Sequence, residues 1–111
     1  MIKADIFFDD KGMITGYKIR GHAGSVKKGE FDWICNSVSI LTQAPINGLT
    51  EHLKRNPSFS TSDGRLELAL DSAPDDLTQA ILMTMYYGLK VFEEDYPRYV
   101  QVKEHGGESN V

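Results

Sequence analysis

IKADIFFDDKGMITGYKIR, residues 2–20, decides the fold. Ile2, Ala4, Ile6 and Phe8 alternate with Lys3, Asp5 and Asp9, the period of a strand with one buried face, although Phe7 interrupts the polar side. Asp9 to Gly12 reads as a turn. From about Met13 to Arg20 the alternation resumes, with Tyr17 and Ile19 on one face and Lys18 and Arg20 on the other. The stretch is therefore an opening hairpin, and the rest of the chain must be laid against its apolar face.

Downstream, the apolar residues Ile34, Val38, Leu41, Ala44, Leu49 and Leu53 recur at near-helical spacing behind Asp32, a residue suited to an N-cap. Pro45 has no amide hydrogen and predicts a kink or interruption there. Phe59 to Ser62 and Leu66 to Leu70 flank Asp63-Gly64, a tight-turn dipeptide, giving a second hairpin. A long helix is expected from about Asp75 to Tyr96, closed by Pro97. Leu77, Ala80, Ile81, Thr84, Gly88 and Val91 line one of its faces, and Leu82, Tyr86 and Leu89 form a second stripe. The sheet can cover only one, so the second stripe is expected to meet another copy of the chain in a homodimer. Val100 and Val102 mark a last strand. The expected fold is α+β, a two-layer sandwich of order ββαββαβ with a mostly antiparallel five-stranded sheet and two helices on one face. Residues 1–104 form a single domain and 105–111 a flexible tail.

Composition narrows the function classes. At 111 residues the chain has room for one core, and its 41% hydrophobic and 25% charged residues are ordinary for a globular protein. A formal charge of −4 repels phosphate-rich partners unless a local basic patch binds them, so no nucleic-acid partner is expected. MIKADIFFDDKG holds neither a signal peptide nor a membrane span, which points to the cytoplasm. One cysteine excludes an internal disulfide and a thiolate-cluster metal site. No metal or cofactor is expected.

The chemistry candidate is GHAGSVKKGEFDWICNSVS, residues 21–39. It puts His22 at a strand end and Cys35 in the first turn of a helix, joined by a glycine-bracketed loop. Amides at a helix N-terminus favour a thiolate and could hold an oxyanion, and a neighbouring imidazole could move the proton. Each residue also has a plainer reading. Cys35 suits a buried position, and His22 shares strand parity with Lys18 and Arg20, which aims it away from the helices unless Gly21 breaks the register. Asp32 is first a cap and only second a partner for His22. Ser39, one helical turn beyond Cys35, serves packing or a site hydrogen bond. Lys27 and Lys28 read as solvated loop charges, and neither His52 nor His105 has a recognisable partner.

The run Gly21-His22-Ala23, Gly29, Asp32, Trp33-Ile34, Cys35 and Ser39 resembles the signature of the ribosomal-processing cysteine protease family. The TQxxxNGL run from Thr42 to Leu49, the length and the element order are similar too. The resemblance implies a homodimeric endopeptidase that removes the N-terminal extension of large-subunit ribosomal protein twenty-seven, cutting after an aromatic pair. By matching position it makes His22 and Cys35 the catalytic dyad and Asp32 and Ser39 supporting residues. Gly24 and Gly29 would hinge a lid over bound peptide. Asn36-Ser37, Trp33 and Pro45 depart from the pattern and bear on the substrate pocket rather than on the dyad. The competing readings are a non-catalytic ribosome-assembly module that binds a ribosomal protein or peptide, and a thiol redox enzyme, which would lack a resolving cysteine in this chain.

Overall fold

The computed structural model describes residues 1–27 and 29–106. The opening stretch forms β1 (Ile2–Phe8) and β2 (Ile14–Arg20), antiparallel and in register from Lys3 opposite Arg20 to Ile6 opposite Tyr17. Asp9 makes the turn between them, accepting the Lys11 and Met13 amides on its carboxylate, both at 2.9 Å. α1 (Trp33–Asn47) follows, then a π-helical turn (Gly48–His52), β3 (Ser58–Ser62), β4 (Arg65–Ala69), α2 (Asp76–Asp95) and β5 (Val100–Gly106). The strand order is β3-β4-β2-β1-β5. Three pairings are antiparallel, and β5 runs parallel to β1 at one edge. The fold is thus the expected α+β sandwich, a mixed sheet in the order ββαββαβ.

The alternation predicted for the strands sets which face is dry. Ile2, Ala4 and Ile6, Tyr17 and Ile19, Leu66 and Leu68, Val100 and Val102 are all buried, and Ile34, Val38, Leu82, Met85 and Leu89 of the two helices close over them. Two polar groups align the layers. The buried Tyr17 hydroxyl donates to the Thr42 carbonyl of α1 at 2.7 Å, and burial pushes its pKa upward. Gln79 of α2 accepts from the Ile14 amide and donates to the Ile14 carbonyl, at 2.7 and 2.8 Å.

Pro45 does not end α1. It is buried within the helix, and the local distortion comes afterwards, where the Leu53 amide reaches the Gly48 carbonyl in a five-residue π turn. A proline leaves the carbonyl four residues earlier, here that of Leu41, without its helical donor, and α1 nonetheless continues to Asn47.

Two expectations are corrected. Leu82 and Leu89, assigned to the stripe left over for a partner, face the core. The face left open is the other one: Leu77 and Val91 are 57% and 56% exposed, Ala80 and Thr84 are exposed, and Ile40 of α1 adds to it at 62%. α2 packs against α1 as well as the sheet, which rotates its buried arc toward Leu82 and Met85. Strand β5 also extends to Gly106, two residues past the expected domain limit of 104, because it pairs with the whole of β1. The remaining tail positions, 107–111, lie outside the described residues. No helix among the described residues is long and apolar enough to cross a membrane.

Candidate active site

Gly21 ends β2 at φ +94°, and a β-carbon there would lie 2.3 Å from the Met1 carbonyl oxygen. Only glycine fits, and the positive φ breaks strand alternation at this point. His22 is consequently turned toward the helix layer instead of the outer sheet face that its parity implies. Its ring rests against the β3–β4 turn, where a β-carbon on Gly64 would come within 2.7 Å of Nε2. The Gly21 amide donates to the Gly64 carbonyl at 2.9 Å, fixing that approach.

From the other side Asp32 caps α1, its Oδ1 accepting the Cys35 amide at 3.1 Å. The cap sets Cys35 in the first turn, half-buried. Its Sγ lies 3.9 Å from His22 Nδ1, and the amide of the buried Ala23 donates to the sulfur at 3.2 Å. The sequence expectation had the helix amides facing the reaction. In the structure the Cys35 amide is spent on Asp32, and the donor aimed at sulfur comes from the loop. Asp32 also accepts the Ser25 hydroxyl at 2.7 Å and the Ser25 amide at 3.4 Å. Partial burial opposes ionisation of Asp32. The hydrogen bonds from Cys35, Ser25 and Ile34 outweigh it and hold its pKa below the usual carboxylate value. Among the described residues the Asp32 side chain bonds to Cys35 and Ser25, the contacts of a helix cap that also reaches the loop.

His22 and Cys35 sit at the wall of a cleft of about 320 Å³. Ser39 lies on the same side of α1 and lines it, as do Phe31, Asn36 and Gln43 and the β3–β4 turn residues Asp63, Gly64 and Arg65. Phe31, 69% exposed, stands at its edge. Gly24 and Gly29 flank the loop, both at positive φ. Lys28 lies outside the described residues. Sequence reasoning missed Phe31 and Gly64-Arg65. The turn dipeptide was legible, but the contact of Gly64 with His22 follows from pairing β4 to β2, with Arg20 opposite Arg65. Among the described residues no group of His, Cys, Asp and Glu is arranged to hold a metal ion.

The sequence profile of cysteine protease Prp matches residues 1–101. The chain belongs to the cysteine protease Prp family. An essential ribosomal processing protease Prp from S. aureus, in complex with a covalently linked product peptide, superposes with a TM-score of 0.86 at 25% identity, covering 95% of this chain and 100% of that one. The same S. aureus protease with a substrate peptide gives 0.83 at 25% identity, with the same coverage. SMU.848 from Streptococcus mutans gives 0.82 at 27% identity, covering 96% and 95% of the two chains. No match was found among curated proteins. Membership places the chain among cysteine proteases concerned with ribosomal processing, and Cys35 is its one cysteine.

Proposed function

We propose that the protein is a cysteine endopeptidase in which Cys35 is the nucleophile and His22 its base, acting in the cytoplasm on the N-terminal extension of large-subunit ribosomal protein twenty-seven. The observation that carries this reading is the convergence on one sulfur of an imidazole nitrogen at 3.9 Å and a backbone amide at 3.2 Å, at the wall of an open cleft. His22 Nδ1 takes the thiol proton as Sγ attacks the scissile carbonyl. The imidazolium returns it to the departing amine, leaving a thioester. Water deprotonated by His22 then attacks the thioester, releasing the acid and restoring the thiol. The 3.9 Å separation is long for a proton transfer, as catalytic contacts often are before substrate binds, and it tightens in the peptide complex, over which the loop bearing Gly24 and Gly29 acts as a lid. Ser39 supports the site from the next turn of α1. The S. aureus Prp with its covalently linked product peptide and its substrate peptide supports a peptide as the class of substrate.

The test is incubation with the N-terminally extended ribosomal protein, read by mass spectrometry, alongside Cys35→Ala and His22→Ala. Cleavage at one bond by the unaltered protein and by neither variant is expected. Absence of cleavage by every form would sink the processing role and favour a module that only binds the ribosomal protein.

We further propose that the open face between α1 and α2 closes a homodimer. A groove of about 530 Å³ runs there between Ile40, Leu41 and Ala44 of α1 and Ala80, Ile81 and Thr84 of α2. Exposed contiguous apolar surface of this kind is characteristic of an interface. Light scattering is expected to return twice the chain mass for the native protein and the single-chain mass for Ile40→Asp. A native monomer at micromolar concentration would refute the dimer.

A further inference from the structure

The sheet face turned away from the helices has a charge opposite to that of the molecule. Strand register places its side chains in rows. Gln101, Lys3, Arg20, Arg65 and Ser62 form the first, Lys103, Asp5, Lys18, Glu67 and Ser60 the second, and His105, Phe7, Gly16, Ala69 and Ser58 the third. Among the described residues this face holds five cations, Lys3, Lys18, Arg20, Arg65 and Lys103, against Asp5 and Glu67. That is +3 on a chain of net −4, so the rest of the chain carries −7. The two carboxylates are engaged, Asp5 with Arg20 at 3.7 Å and Glu67 with Lys18 and Arg65 at 3.6 and 3.2 Å. Lys3 and Lys103 are exposed and have no ion-pair partner among the described residues. Like charges directly opposite one another destabilise a sheet, yet the first row sets Lys3, Arg20 and Arg65 side by side on three adjacent strands.

The third row adds an aromatic stack. His105 stacks on Phe7 with ring centroids 4.9 Å apart and 21° between planes, and the Lys18 ammonium sits 5.8 Å from the Phe7 centroid on the same face. The His105 imidazole is held by Asp5 at 2.7 Å, so this histidine, which has no recognisable partner in the sequence, has one across the parallel pairing. β5 is an edge strand, and a third of the His105 side chain is exposed. The stack therefore ends at the sheet edge beside unpaired cations.

We infer that this outer sheet face binds single-stranded RNA, its phosphates on Lys3, Lys103 and the arginine row and one base on the His105–Phe7 stack. The local basic patch that a net-negative chain would need for a phosphate-rich partner is present here. An acidic protein segment would answer the charge but would make no use of the stack, whereas every nucleobase has a π-face to offer it. The inference is independent of the proteolytic reading, since it is read by binding alone and tested at Lys3, Lys103 and His105, none of which lines the cleft, although Ser62 and Arg65 at the end of the first row also border it.

The experiment is fluorescence anisotropy of a short labelled oligouridylate with the full-length protein, titrated at several salt concentrations. Saturable binding at low salt is expected, with the logarithm of affinity falling by about 0.7 per phosphate neutralised for each decade of salt. The double variant Lys3→Ala, Lys103→Ala removes side chains with no partner inside the protein. It is expected to weaken binding about tenfold and to make the salt slope shallower by about 1.4. His105→Ala is expected to weaken binding about tenfold, a single base–aromatic stack. A charge-matched polyglutamate should not bind. Failure of the native protein to bind the oligonucleotide at low salt would overturn the inference. So would affinity unchanged in the lysine variant, or polyglutamate binding as tightly as the oligonucleotide.

Discussion

Asp32 and Asp75 occupy the same station at the start of the two long helices, each accepting the amide three residues on, Cys35 at 3.1 Å and Thr78 at 2.9 Å. Their other contacts go to different places. Asp75 receives the Arg55 guanidinium at 2.8 Å, and Thr78 completes a capping box by accepting the Asp75 amide, so this cap joins α2 to the segment ahead of β3. Asp32 instead receives the hydroxyl and amide of Ser25, which lies in the loop between His22 and Cys35. Two residues before Ser25, the Ala23 amide points at Sγ. The same residue type in the same helical position therefore does two jobs. One cap joins α2 to the segment ahead of β3, while the other ties the loop to the helical turn that carries Cys35.

The largest expected contrast comes from removing each cap in turn. Asp32→Ala should cost about 1 kcal/mol of stability, the ordinary value of an N-cap. It should also lower kcat/KM on a peptide substrate about tenfold, because the loop that places the Ala23 amide loses its anchor. Asp75→Ala should lower the denaturant midpoint while leaving the rate per folded molecule unchanged. Equal losses of activity in the two variants, at matched folded fraction, would show that the caps do not differ in kind. A smaller effect isolates the tie itself. Ser25→Ala keeps the Asp32–Cys35 bond, so stability should stay within about 0.5 kcal/mol of the parent. Activity should fall about fivefold, the equivalent of one hydrogen bond. An unchanged rate would mean that the Ser25 contact does not hold the loop in the working state.

The Asp32 cap, both hairpins and the element order were legible in the sequence because they depend on local chemistry: alternation, an aspartate ahead of an apolar helical run, Asp63-Gly64 between strands. What was not legible depends on pairs distant in the chain. The open face of α2 was assigned to the wrong stripe because helical periodicity gives two apolar arcs and does not say which one α1 and the sheet will take. At the site, Cys35 and His22 could be named, and the register break at Gly21 could be suspected. The backing of His22 by Gly64 required knowing that β4 lies next to β2. His105 had no partner in sequence because Asp5 is a hundred residues away, reached only through the parallel pairing of β5 with β1.

Acidity gives the smallest and most discriminating comparison, because both caps titrate in the same direction for different reasons. The Asp75 pKa is lowered first by the Thr78 amide and then by Arg55, and that of Asp32 by hydrogen bonds that overcome partial burial. A carboxyl whose pKa is lower folded than unfolded binds its proton less readily in the native state. The stability it lends is complete above the unfolded value, about 4, and is lost as the pH falls through the folded one. Asparagine caps a helix about as well as aspartate but does not titrate in this range. Asp32→Asn should therefore be less stable than the parent at pH 7 by the charge-assisted part of the cap alone, and the gap should close as the pH is brought below 4. The check is the urea midpoint of both proteins across that range. A gap that stays constant would place the effect in packing rather than in the charge on Asp32. The same comparison at Asp75 should show a closing gap in stability with no change in cleavage rate at neutral pH, whereas at Asp32 both quantities should move.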